Sequence, residues 1–454
     1  MRQIRELLKV WRMDPCVWLT FVAKIAAGVG SRCSSFSHSV IVVLMKKRHV
    51  ICRGVDGLRA SALGTYGNTS FPTPQLDAMA SRSLVVDWLW ADSPLLDGFY
   101  RSVWQGQHAL RQAQVKGHLI QQLADVGVQQ WLISDDTWLT SQSIALPFDK
   151  TLLLETVASQ SAETIEDAGM AQLFYEVVLH LEEWRNLVEQ DESSMLWFHT
   201  SGLMGPWDAP IALRQSLLDE ADPDPLEFVN APGELRDLDD PDEIYAHRIA
   251  YAAQMAVLDT CVGAFMQAIE ESFAATETLV MLFGSRGYAL GEHGSVGRDC
   301  QELFGERLHV PWLLQICGKH EPFQRYPGLT QPADIGSTLL DWFGLEFSVP
   351  SDGQSILPLL TGQPCVERQV AVSCGVDGEQ SIRTAAWHMR KPAANEPGEI
   401  TEELYAKPDD LWEFNNVASI CPQVMELLRE GMQYLETSTQ GAKSLPVSLD
   451  RDDT

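Results

Sequence analysis

The sequence has no CxxC pair and no cluster of cysteine with histidine, although it contains nine cysteines. Nothing in it therefore has thiolate ligand spacing, and an odd cysteine count fits a reduced compartment better than a disulfide framework. Cys52, Cys261 and Cys317 stand in apolar segments and are expected to be buried free thiols. Positive charge is scarce: 33 lysines and arginines face 62 aspartates and glutamates, a formal charge of −29. General nucleic-acid binding is excluded, because phosphates would be repelled. Internal repeats and low-complexity tracts are absent. So is a membrane-spanning run: Val17 to Gly30 is interrupted by Lys24, is too short to span, and follows too long an n-region for a signal peptide.

What is present describes a soluble globular chain, 45% hydrophobic and 21% charged, long enough at 454 residues for one large core with a smaller subdomain. Ile4, Leu7, Leu8 and Trp11 fall at helical spacing among Arg2, Arg5, Lys9 and Arg12, a pattern that fits a membrane-surface helix. Met45-Lys46-Lys47-Arg48-His49, directly before the first apolar strand, reads as a natural chain start. Residues 1–44 are accordingly expected to be a disordered or non-native extension. The expected location is cytoplasmic, with export or membrane association through residues 1–44 as the alternative.

Helices alternate with apolar strands along the chain. Leu119, Ile120, Leu123 and Ala124 mark a helix that stops at Gly127, and the strand Trp131-Leu132-Ile133 follows. A helix over 168–189 precedes a strand over Met195–His199; another over 245–271 precedes a strand over Leu279–Phe283 that ends in Gly284-Ser285-Arg286-Gly287. This order predicts an α/β fold with a mostly parallel central sheet flanked by helices. Between Asp219 and Glu243, acids crowd together with four prolines, which reads as a solvated surface excursion.

The stretch from Val50 to Gly106 organises the rest. Val50, Ile51 and Val55 form a strand closed by Asp56-Gly57, a tight loop follows at Gly64–Asn68, and Pro72-Thr73-Pro74-Gln75-Leu76-Asp77 leads into a helix beginning near Leu76. A carboxylate at the C-terminal end of a buried strand is where open α/β sheets place their chemistry. The succession Val-Asp-Gly-Leu-Arg-Ala, Leu-Gly-Thr-Tyr-Gly-Asn, Thr-Pro-Gln-Leu-Asp and Ser-Pro resembles the amino-terminal signature of the sulfatase family, within the alkaline phosphatase superfamily. Leu290-Gly291-Glu292-His293-Gly294, Leu308-His309-Val310-Pro311 and Gly353–Gly362 extend the resemblance. With Glu403-Leu404-Tyr405 and Trp412–Asn416 it covers roughly residues 48–435. It implies a sulfatase-like domain over 45–362, a small α+β subdomain over 363–437 and a polar tail over 438–454.

The resemblance also implies a calcium ion held by four oxygen ligands and a cysteine-derived nucleophile. Asp56 matches the first ligand, as a vestigial metal position, but Gly57, Ser285 and Arg286 stand at the other three. Leu96 stands at the nucleophile, and leucine has no nucleophilic atom. Tyr100 stands at the motif's arginine, with Arg101 one step beyond, and Asp135, Thr137 and Met204 replace the lysine and histidines that contact sulfate. Arg298 matches the sulfate-binding lysine and still suits an oxyanion.

The expectation is a non-catalytic member of the family without a cofactor, binding an anionic or sulfated ligand or a partner through a remnant pocket of Asp56, Arg298, Arg101, Ser285 and Arg286. The alternative is a sulfuric or phosphate ester hydrolase with a rebuilt site that draws on Asp56, Asp97, Asp135 and Asp136, with calcium only in that case. An ionised Asp56 needs a positive partner, and Arg286 is expected to supply it in place of the ion.

Overall fold

Strands that are apolar on both faces must be covered by helices on both sides. The computed structural model has this arrangement. It describes residues 47–437 except 112–117, 142–146, 157, 159, 190–191, 228–229, 237–239, 274–275, 300–301, 320–322, 377 and 394–400. The extension expected over 1–44 and the tail over 438–454 lie outside the described residues.

The central sheet is built from β1 (His49–Val55), β2 (Leu84–Trp90), β3 (Gln129–Ser134), β4 (Lys150–Leu153), β5 (Ser194–Thr200), β6 (Thr278–Gly284), β7 (His309–Ile316) and β8 (Gln324–Thr330). Their order is β8-β2-β7-β6-β1-β5-β3-β4. Only β7 runs antiparallel to its neighbours. The four strands read from the sequence are β1, β3, β5 and β6, and they lie side by side in this sheet.

Alternation decides the two faces. Ile51, Val55, Leu196, Phe198, Val280 and Leu282 pack with helices α1 (Pro74–Ala80), α4 (Gly169–Glu189) and α5 (Pro241–Phe273). Val50, Cys52, Met195, Trp197, Met281 and Phe283 face α2 (Leu96–Gln105), α3 (Leu119–Asp125) and α6 (Pro332–Trp342). Cys52, Cys261 and Cys317 are buried thiols. Helix α5 is long and apolar enough to cross a membrane, but 78% of its most apolar stretch is buried within the protein.

Two boundaries differ from the sequence reading. The acidic excursion carries a short strand, Leu235–Arg236, which pairs with Ser295 and Val296, and α5 begins not at 245 but at Pro241, where proline needs no N–H partner. Four further strands, β9 (Ala371–Cys374), β10 (Gln380–Arg383), β11 (Trp387–Lys391) and β12 (Glu403–Ala406), form an antiparallel sheet. It packs with α7 (Pro422–Thr437) around its own apolar cluster.

One residue conflicts with this core. Arg53, in the middle of β1, is 1% exposed, and among the described residues its only hydrogen bond runs to the sulfur of Met79. Its Nε and Nη1 are unpartnered, and burial lowers its pKa to about 9. A buried charge without a counter-ion is costly, and an apolar residue of similar volume avoids the cost. Arg53→Met is expected to raise stability by about 2 kcal/mol. Urea unfolding at neutral pH checks this; a fall in midpoint would refute it.

Candidate functional site

The C-terminal ends of β1, β5 and β6 meet in register, with Val55 opposite both Thr200 and Gly284. The chain continues the pairing beyond the strands: Asp56 N–H donates to Thr200 O, Ser285 N–H to Val55 O, and Gly57 N–H to Arg286 O. Asp56 is thus fixed at the sheet's end by its own backbone and is 1% exposed.

Its carboxylate is fully engaged. Arg286 Nε lies 2.9 Å from Oδ1 and 3.1 Å from Oδ2, and Nη2 lies 2.9 Å from Oδ2. Ser285 Oγ donates to Oδ1 at 2.9 Å. This is a bidentate, charge-assisted pair, the geometry for which guanidinium is suited. Burial would raise the Asp56 pKa, but the charge and hydrogen bonds of Arg286, with smaller help from His199 and Ser285, outweigh it and hold the carboxyl below its ordinary range.

The donor set does not fit a divalent cation. Calcium requires six or more oxygens, whereas a guanidinium already occupies both oxygens of Asp56. At the second ligand position Gly57 has φ +82°, a conformation that L side chains avoid, and an added Cβ would come 2.8 Å from Leu203 Cβ. An acid there would require the turn and Leu203 to move. Among the described residues, no group of three or more histidine, cysteine, aspartate or glutamate side chains could hold a metal.

Leu96, at the expected nucleophile position, is the first residue of α2 and is buried. One turn later Tyr100 Oη lies 2.7 Å from His199 Nδ1 and accepts a hydrogen bond from Trp197 Nε1 at 3.2 Å. Sequence reasoning missed His199. Its only signal was a histidine closing the apolar run of β5, two residues beyond Trp197 and so on the face toward α2. The pair fits because β1 offers Gly54 opposite His199: a Cβ there would stand 3.2 Å from both His199 Nδ1 and Tyr100 Oη. His199 Nε2 is buried and unpartnered, and burial lowers this histidine's pKa against the pull of Asp56, Asp136 and Asp135.

The other expected residues divide. Asp135 turns to β5, accepting from Ser201 N at 2.7 Å, Ser201 Oγ at 2.9 Å and Thr200 Oγ1 at 3.1 Å. Asp136 caps the short helix that follows it through Leu139 N, Thr137 and Asp97 are exposed, and Met204 is a core residue. Arg101 does not join Asp56: one residue past Tyr100 it points away, and Nη2 donates to Ala109 O at 3.3 Å. Arg298 also stands apart, 49% exposed and 3.8 Å from Asp299. Its carbonyl accepts from buried Arg307, which also donates to Gly287 O and Pro94 O. Of the five residues expected in the pocket, the structure joins Asp56, Ser285 and Arg286.

A family model described as Sulfatase matches residues 49–345. The multifunctional alkaline phosphatase superfamily protein PehA of Trinickia caryophylli is 28% identical over 127 residues, which cover 28% of this chain and 24% of the relative. Human iduronate 2-sulfatase is 32% identical over 72 residues, 16% of this chain and 13% of the relative. These matches thus span about a quarter or less of either relative's length. The crystal structure of the phosphonate monoester hydrolase of Agrobacterium radiobacter superposes with a TM-score of 0.68 at 18% identity, covering 85% of this chain and 94% of that one. At that identity the likeness establishes the fold.

Proposed function

This chain belongs to the sulfatase family, and from that premise we propose that it is a non-catalytic member, using the remnant pocket to bind an anionic ligand or partner. The observation that carries the reading is the Arg286–Asp56 pair, in which a fixed cation of the protein stands where the family places an ion. Leu96 supports it by offering no nucleophilic atom at the start of α2. For binding, Arg286 Nη1 makes no hydrogen bond among the described residues, the side chain is 20% exposed, and half-exposed Arg298 lies beside Asp299, which acts on Arg286. Asp136 and Asp299 lie close enough to act on Arg286, so a ligand must engage the guanidinium directly rather than rely on a positive field.

The second reading, a hydrolase with a rebuilt site, is favoured by one observation, the unpartnered Nε2 of His199 beside Asp56 and Asp136. One experiment separates the two. Purified protein is assayed for bound metal, for a calcium-dependent shift in melting temperature, and for turnover of aryl sulfate, phosphate and phosphonate esters. The expected result is no stoichiometric calcium, no shift and no turnover. Turnover that is lost in His199→Ala would overturn the proposal in favour of a rebuilt enzyme.

A further inference from the structure

The turn Gly291–Gly294 lies between two short strands, Ala289–Leu290 and Ser295–Gly297, the second of which leads to Arg298. Its Glu292 is committed to Arg59 at 2.6 Å. His293 faces elsewhere. Its Nδ1 lies 2.7 Å from Oε1 of Glu306, and its Nε2 lies 3.3 Å from the carbonyl of Glu413, in the loop between β12 and α7. Both partners accept and neither donates. A neutral imidazole has a single N–H and would turn a lone pair toward one of these oxygens, whereas an imidazolium donates to both.

The ring is held in this orientation. It is stacked on Phe304 with centroids 3.5 Å apart and planes within 3°, and Phe414 flanks it at 5.6 Å. Glu306 is 9% exposed, and among the described residues His293 is its only ion-pair partner, while Arg59, paired with Glu292, also lies near enough to act on it.

We propose that His293 is a proton-operated latch: charged, it ties the turn Gly291–Gly294 to the backbone of the loop around Glu413 in the C-terminal sheet unit, and neutral, it gives up that tie and leaves the loop held through the Glu413 side chain alone. The proposal is independent of whether the pocket binds a ligand. The charged groups facing the latch are Glu306 from the short helix Gly305–Leu308 and Glu413 from the loop. Behind Glu413 stand Lys407 and His388. Arg390 lies over the Phe304 ring and is neutralised by Glu379 and Glu403.

Burial lowers the pKa of His293, but the carboxylate of Glu306 and the Glu413 carbonyl outweigh it, and the group titrates above the ordinary histidine value. The stabilisation is therefore complete below about pH 6.5 and is lost as pH rises through the higher folded value.

The test uses the full chain. Proton NMR follows the His293 Hε1 signal, assigned by its proximity to the Phe304 ring, and hydrogen exchange follows the amides of 413–417 at about pH 6 and about pH 8.5. His293 is expected to titrate above about 6.5, and protection, corrected for intrinsic rates, to fall roughly tenfold across that window. In His293→Gln the protection should not change with pH, and in Glu306→Gln the His293 titration should move down. Titration at or below the ordinary value, or an equal loss of protection in His293→Gln, would overturn the latch. The wild-type titration stands alone if a variant does not fold.

Discussion

Arg286→Ala is expected to destabilise the protein by about 3–5 kcal/mol, because it leaves the buried carboxylate of Asp56 without its cation. Ser285 Oγ alone remains as a side-chain donor to Asp56, and one neutral hydrogen bond does not offset the desolvation of a charge. The companion Asp56→Asn is milder, since an amide can accept from Ser285 and Arg286, and the guanidinium is partly exposed and can reach water. The double variant should recover much of the loss, giving a coupling energy that marks the pair itself. Urea unfolding of the wild type, both single variants and the double variant measures it. Additive single effects would show that Arg286 does not take the cation's role. Because the Asp56 pKa is lowered in the fold, its contribution is present above about pH 4 and is lost on acidification below that.

The second large effect is expected at Glu413. It is 2% exposed, has φ 59°, and makes four contacts, two within the C-terminal sheet unit and two, to Gly305 and His293, that reach the central-sheet unit. Its Oε1 accepts from His388 Nδ1 and Lys407 Nζ, each at 2.8 Å, its Oε2 accepts from Gly305 N at 2.9 Å, and its carbonyl meets His293. Burial works against its charge, but His388 and Lys407 outweigh it and hold the carboxyl far below the glutamate range. Burial keeps His388 down to about 4, so near neutrality it donates as a neutral ring and Lys407 supplies the opposing charge. Glu413→Gln leaves Lys407 buried and unpaired and is expected to cost about 3–5 kcal/mol. The wild type should also lose stability faster than this variant between about pH 4 and about pH 2, since a carboxyl with a depressed folded pKa contributes above its unfolded value and loses that contribution as pH falls. Equal acid slopes would place the stabilisation elsewhere.

The amino-acid sequence by itself determined the α/β class and four of the eight central strands. The alternation of long helical faces with runs such as Met195–His199 and Leu279–Phe283 allows little other than strands covered on both sides. The resemblance to the family pointed to the pair at the strand ends, and an acid after β1 and an arginine after β6 are adjacent because those strands are neighbours. The tertiary structure decided what spacing does not encode. Arg101 and Tyr100 are consecutive, yet one step along a helix turns a side chain by about 100°, so Tyr100 meets His199 while Arg101 faces Ala109. Arg298 matches its motif, but at the end of a hairpin its guanidinium lies half exposed beside Asp299 rather than at Asp56. His199 could be found only from register: opposite Gly54 it has room beside Asp56, and which residue of one strand faces which residue of another is fixed by packing between segments distant in the sequence.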